Sequence, residues 1–306
     1  MGIIPVPCSG YQLVSQLNLK AIPAPVFGIG TAIFFGFSTP LTKLLLTNVE
    51  PWMLAGLLFL SGGVGLLPIY LLRNQLQLPV KSLEGKDWIW LGASVLAGGV
   101  IAPVLLTLGL TSTPAAVASL LLNFEGVFTA ILAWTVFREI WRWRVFAGII
   151  AITAGGILLS QSNYNQAGLS WGAIAILGTC LAWAMDSNFT NKVASKDALQ
   201  LAMLKSGGAG VINVALALVL GQTFPGFPIL LPIFGVGFMA SGLTLVCFIL
   251  ALRRLGSART GAYFALAPFA GATLAVLLLG ESITQSLAVA ALLMLLGTGL
   301  CITEKS

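Results

Sequence analysis

Histidine is missing from all 306 residues, and charge is scarce: Asp, Glu, Lys and Arg together make up 8%. Without histidine there is no His-based triad, no His-ligated zinc and no His proton relay. A soluble chain carries about 25% charge, so this composition excludes an ordinary soluble globule. The four cysteines, Cys8, Cys180, Cys247 and Cys301, show no C-x-x-C spacing. The last three lie in apolar runs, where a cysteine reads as a small buried hydrophobe. No Walker A pattern is present, which argues against an ATP-driven pump. Nothing calls for a cofactor or a metal. The N-terminus lacks a basic n-region, and Pro5 and Pro7 interrupt its apolar residues, so no signal peptide is expected. Residues 1–22 read as a short cytoplasmic tail.

What is present is apolar. Hydrophobic residues reach 58% and the mean hydropathy is +1.00. Ten segments have membrane length: 24–46, 51–72, 88–110, 113–137, 145–161, 171–191, 198–221, 228–252, 258–280 and 283–303. Short linkers with turn residues join them, such as Ser112-Thr113-Pro114 and Phe224-Pro225-Gly226. The longest, from Arg73 to Asp87, has room for an interfacial helix.

The net charge of +6 comes from 15 basic and nine acidic residues. The basic residues form no dense patch, so nucleic acid is not an expected partner. Their placement follows membrane topology instead. With the N-terminus inside, thirteen of the fifteen fall on the cytoplasmic side, from Lys20 through Arg138 and Arg253 to Lys305, and none in the outer loops. Lys43 and Lys205 fall inside segments. This asymmetry predicts both termini in the cytoplasm of a multi-pass protein of the bacterial inner membrane.

The chain also repeats itself. Ser61-Gly62-Gly63-Val64-Gly65 recurs as Ser206-Gly207-Gly208-Ala209-Gly210, 145 residues later. Glu139 matches Glu281 and Gly155 matches Gly297, both at an offset of 142, and Lys43 matches Lys192 at 149. Matches in order at similar offsets point to two halves of five helices. Five is odd, so the halves enter the membrane upside down relative to each other, a recurring plan of secondary transporters. The predicted fold class is all-α integral membrane, ten transmembrane helices as two inverted five-helix repeats, residues 23–161 and 170–303.

These residues resemble the drug/metabolite transporter superfamily, and within it the EamA-type carriers with ten helices. The most specific stretches are Leu121-Leu122-Asn123-Phe124-Glu125-Gly126-Val127 through Phe137-Arg138-Glu139, and Ala265-Leu266-Ala267-Pro268 through Leu279-Gly280-Glu281. The first copy has Gly126 where the second has the usual Pro268. The resemblance implies an exporter or exchanger of small organic metabolites. It supplies no fixed catalytic constellation.

The residue that most needs a reason is Glu125. The run Thr113–Phe137 is 25 residues long and Glu125 is its only charge, near the centre. At about 1.5 Å per residue it spans roughly 37 Å. An acid there costs on the order of 2.5–3.5 kcal/mol on insertion scales. On a helical wheel Ser119, Asn123, Gly126, Ala130 and Ala133 make a small or polar stripe, with Glu125 and Thr129 beside it. Leu120, Phe124, Val127 and Phe128 cover the far side. The stripe faces protein or a cavity; close helix packing explains its small residues equally well, though not the acid.

The other candidates are scattered. Segment 6 ends in Asp186-Ser187-Asn188-Phe189-Thr190-Asn191-Lys192, and segment 1 in a matching polar ending, Ser38-Thr39-Pro40-Leu41-Thr42-Lys43. Polar endings at corresponding positions read as gates or as snorkelling helix ends. Lys205 reads first as a snorkelling residue, with an ion pair to Asp186 as the alternative. Pro103 and Pro268 would free the carbonyls of Gly99 and Phe264. Trp183 and Tyr263 lie within membrane runs and line a pocket or pack in the core. Trp88, Trp90, Trp141, Trp143 and Trp171 fit interfacial belts.

The expectation is therefore a secondary carrier, not an enzyme, moving amino acids or amphiphilic compounds by alternating access, with a proton as a possible coupling ion. Its candidate substrate-binding or coupling residues are Glu125, Asn123, Thr129, Asp186, Asn188, Trp183, Tyr263 and Lys43. Partners are the small-molecule substrate and the lipid bilayer, the protein being a monomer or homodimer. The alternatives are a passive metabolite channel and an integral-membrane enzyme.

Overall fold

The computed structural model describes residues 22–75, 83–135, 143–161 and 170–302. Residues 1–21 of the expected cytoplasmic tail, Glu139, Trp141 and residues 76–82 of the Arg73–Asp87 linker lie outside the described residues. The elements in chain order are α1 (Ala24–Leu45), α2 (Pro51–Gln75), α3 (Asp87–Ser94), the π-helical π1 (Val95–Ile101) and α4 (Ala102–Ser112). Then come α5 (Ala115–Leu121), α6 (Phe124–Thr135), α7 (Trp143–Gln161), α8 (Trp171–Val193) and α9 (Ala198–Val219). The last are α10 (Phe227–Gly237), π2 (Phe238–Leu243), α11 (Thr244–Phe264), α12 (Ala267–Leu279) and α13 (Gln285–Ile302). No strand occurs among the described residues.

Among the described residues, six stretches are long and apolar enough to cross a membrane: Ala24–Leu45, Pro51–Leu72, Asp87–Ser112, Ala115–Leu132, Ala198–Val219 and Phe227–Leu255. Trp143–Leu159, Ala267–Leu279 and Gln285–Cys301 are shorter apolar helices. Helix α8 has 23 residues, but its last turns hold Asp186, Asn188, Asn191 and Lys192, which lower its hydropathy. The molecule is inside-out relative to a soluble protein. Val219, Phe227 and Leu231 are 84%, 86% and 77% exposed, while Thr179, Ser206 and Asn213 are fully buried. Lipid suits such an apolar shell; this is a multi-pass membrane protein.

Two expectations about helix continuity need correction. The run around Glu125 is not one helix. It breaks at Leu122-Asn123, where the amides of Asn123, Glu125 and Gly126 bond carbonyls three residues back, at 3.1 Å each. That tightening is 3₁₀-like. Asn123 Nδ2 donates to the Leu120 carbonyl at 3.0 Å, and the Cys180 thiol points at the Leu121 carbonyl. Asn side chains compete for backbone groups in this way. A second break, at Ala265-Leu266, precedes Pro268, which sits in the first turn of α12.

The second correction concerns residues 253–257, expected as a linker. They lie within α11. Sixteen residues of straight helix would separate Phe248 from Phe264 by about 24 Å, yet their ring centroids are 5.6 Å apart. The chain therefore doubles back inside α11, and the turn itself is helical.

Glycines set the closest packing. Helix α2 lies on α9, α7 on α13, and α1 on both α11 and α12, while α8 packs against α4 and α6. A methyl at Gly63 would overlap the backbone of Gly207, and one at Gly210 that of Leu60. The two recurring Ser-Gly-Gly stretches thus meet face to face. At the α7–α13 contact the approach is reciprocal. A methyl at Gly148 would lie 2.6 Å from the Gly297 carbonyl oxygen, and one at Gly297 the same from that of Gly148.

Candidate functional site

A cavity of about 110 Å³ lies inside the bundle, bounded by α1, α2, π1, α4, α6, α8, α9, π2 and α11. Its wall is mostly apolar and aromatic. Its charged lining residues are Glu125, Asp186 and Lys205.

Each reaches the cavity for a local reason. Glu125 stands in the first turn of α6, directly after the break. Trp183, Asp186 and Ser187 are at i, i+3 and i+4 on α8, which puts them on one helix face. Lys205 is on the neighbouring α9. The turn Ala194–Asp197 folds α9 back along α8, and Asp197 caps α9 through the amides of Leu199 and Gln200 at 3.2 Å. Asp186 is seven residues before the end of α8 and Lys205 seven after the start of α9. Antiparallel helices bring such residues level.

Asp186 and Lys205 form a salt bridge. Lys205 Nζ lies 2.7 Å from Asp186 Oδ1 and 2.6 Å from Oδ2. It also donates to Thr190 Oγ1 at 3.2 Å. Ser94 Oγ donates to Asp186 Oδ1 at 2.5 Å. Only 7% of Asp186 and 4% of Lys205 is exposed. Glu125 accepts a bond from Ser187 Oγ at 3.4 Å and has no ionic partner of its own among the described residues.

The π-helical segment π1 joins this site. Pro103 has no N–H to return, and the freed carbonyl of Gly99 accepts from Asn213 Nδ2 at 2.9 Å. The carbonyl of Gly98 accepts from Trp183 Nε1 at 3.1 Å. A Cβ at Gly98 would collide with the Asp186 carboxylate, so only glycine fits. On the far side π2 brings Ser241 to the wall, its hydroxyl bonded to the Leu58 and Gly237 carbonyls.

The candidate residues separate into two groups. Glu125, Asp186 and Trp183 line the cavity. Asn123 does not: it stabilises the break and accepts from Thr298 Oγ1 at 3.4 Å, toward α13. Thr129 and Asn188 bond carbonyls four residues back on their own helices. Tyr263 packs its ring on Gly28. Lys43 grips the carbonyls of Leu110 and Thr113 at the end of α4. Across the same turn, Glu281 accepts from the amides of Ala115 and Ala116, at 2.7 and 2.8 Å. The helical wheel grouped Asn123 with Glu125 because it assumed an unbroken helix; Thr129 does share α6 with Glu125, but its hydroxyl is spent on the Glu125 carbonyl. Snorkelling is overturned for Lys205, which is buried and paired. Ser94 and Ser187 were missed; equal depth from the α8–α9 turn is the signal that finds Lys205.

Helices with an apolar exterior around an internal cavity that holds three ionisable groups define a polytopic membrane protein. The EamA-like transporter family matches residues 22–161 and again residues 170–303, and the chain belongs to that family. It is 27% identical over 286 residues to an uncharacterized transporter of Methanothermobacter thermautotrophicus, covering 88% of this chain and 83% of that one. It is 24% identical over 266 residues to the uncharacterized inner membrane transporter YedA of Escherichia coli K12, covering 85% of each. A crystal structure of another protein superposes with a TM-score of 0.69 at 19% identity, covering 92% of this chain and 98% of that one. The chain is a transporter and not an enzyme.

Proposed function

We propose that this protein is a secondary active carrier, an exporter or exchanger of small organic molecules such as amino acids or amphiphilic compounds. Its ten helices form two inverted halves, 23–161 and 170–303, with both termini in the cytoplasm of a bacterial inner membrane. Several features support the division into two repeated halves. The π-helical segments begin at Val95 and Phe238, and the helix breaks fall at Leu122 and Ala265, each pair 143 residues apart. The family match is also double.

The observation that carries the reading is the cluster of Glu125, Asp186 and Lys205 around one internal cavity to which both halves contribute. Ionisable groups in the interior of a membrane protein mark substrate and ion pathways. Glu125, without an ionic partner among the described residues, is the residue proposed to take up and release a proton as access alternates.

Reconstitution in proteoliposomes tests both parts. Saturable counterflow is expected for a member of a panel of amino acids, nucleosides and amphiphiles, and an inward proton gradient is expected to drive exchange. Glu125→Gln removes the gradient dependence. Gradient-driven uptake that survives Glu125→Gln sinks the proton role, and absence of counterflow across the panel sinks the carrier.

A further inference from the structure

The charged groups of the cavity are unequally available. An ammonium has three N–H donors. Those of Lys205 face three oxygens, the two of Asp186 and Oγ1 of Thr190. None is left to receive a carboxylate or phosphate. Asp186 is equally occupied, since its Oδ1 also accepts from Ser94 and from Thr190 at 3.2 Å. A carboxylate offers about four acceptor sites, and Glu125 has the single long contact from Ser187. With all three groups ionised, two carboxylates and one ammonium leave the cavity one negative charge in excess.

Much of the wall beside these groups is aromatic. Phe35, Trp183, Phe248 and Phe264 line the cavity. Phe35 meets Trp183 edge-on at 5.1 Å and Phe264 at 4.8 Å between centroids. Aromatic faces attract cations and cover apolar bodies.

From this inventory, which rests on the carrier reading above, we infer that the cavity selects an amphiphilic organic amine carrying one positive charge. Its ammonium binds Glu125 and its apolar body lies on the aromatic wall. Among the described residues that line the cavity, anions find no free donor of positive charge. A zwitterion has a partner for its amine and none for its carboxylate, which would be buried unpaired, a severe cost.

Three probes share an aromatic body and differ in the head: phenethylamine, phenylalanine and 3-phenylpropionate. Equilibrium binding to the purified full chain in detergent is expected to favour phenethylamine at least tenfold over the other two. Glu125→Gln lowers that affinity at least tenfold. Asp186→Asn releases the Lys205 ammonium and shifts the preference at least tenfold toward phenylalanine, a gain that misfolding cannot imitate. Preference of the wild-type chain for the zwitterion or the acid overturns the charge assignment and leaves the carrier intact. Binding of none of the three also overturns the amine inference. The counterflow panel then judges the carrier reading by itself.

Discussion

Lys205 and Asp186 are each defensible only because of the other. Removing one partner of a buried pair strands a charge and costs about 3–5 kcal/mol, whereas replacing both is often close to neutral. Lys205→Met is therefore expected to lower thermal stability in detergent sharply, and Asp186→Asn combined with Lys205→Met to recover most of it. Equal melting temperatures for the single and double variants would mean the pair is not held. At this scale the sequence was half legible. Glu125 declares itself as the one charge in a 25-residue run. Lys205 does not, because a lysine two turns into a helix is compatible with snorkelling until the turn at Ala194–Asp197 lays α9 along α8.

Helix continuity is where pattern reading failed, and the reason is local chemistry. Asn123 diverts a carbonyl bond to its side chain, which no count of apolar residues registers. The break takes Asn123 off the helix that carries Glu125, so Asn123 turns toward α13 and away from the cavity that Glu125 enters. Pro103 was a better guide, since the carbonyl it frees at Gly99 is the one to which Asn213 donates beside the site. The glycine stretches were read as a repeat, and packing explains why they are glycine. Gly63→Ala is expected to destabilise by about 1–3 kcal/mol, the usual cost of forcing extra volume into a packed contact. Gly126 has nothing within 4 Å of an added methyl. Gly126→Ala is expected to be neutral, or stabilising by up to about 1 kcal/mol through helix propensity. Thermal unfolding of the two variants side by side checks the contrast.

For the whole molecule, the distribution of lysine and arginine carries the expected orientation, because orientation is set by charges flanking the helices rather than by packing. It predicts Ser195 in the cytoplasm and Thr223 outside. In a cysteine-free background, a membrane-impermeant thiol reagent is expected to label Thr223→Cys in intact cells and Ser195→Cys only after permeabilisation. The reverse pattern inverts the topology. The α2–α9 contact bears on how such a molecule moves. Backbones that touch at Gly63 and Gly207 have no side chains over which to slide, so under the proposed alternating access the contact is expected to act as a fulcrum and the helix ends to travel farthest. Spin labels at Val64 and Val211, 51% and 59% exposed beside the contact, should keep one separation with and without ligand. Labels at Thr47 and Thr284, near helix ends, should not, and larger travel at the first pair would place the pivot elsewhere.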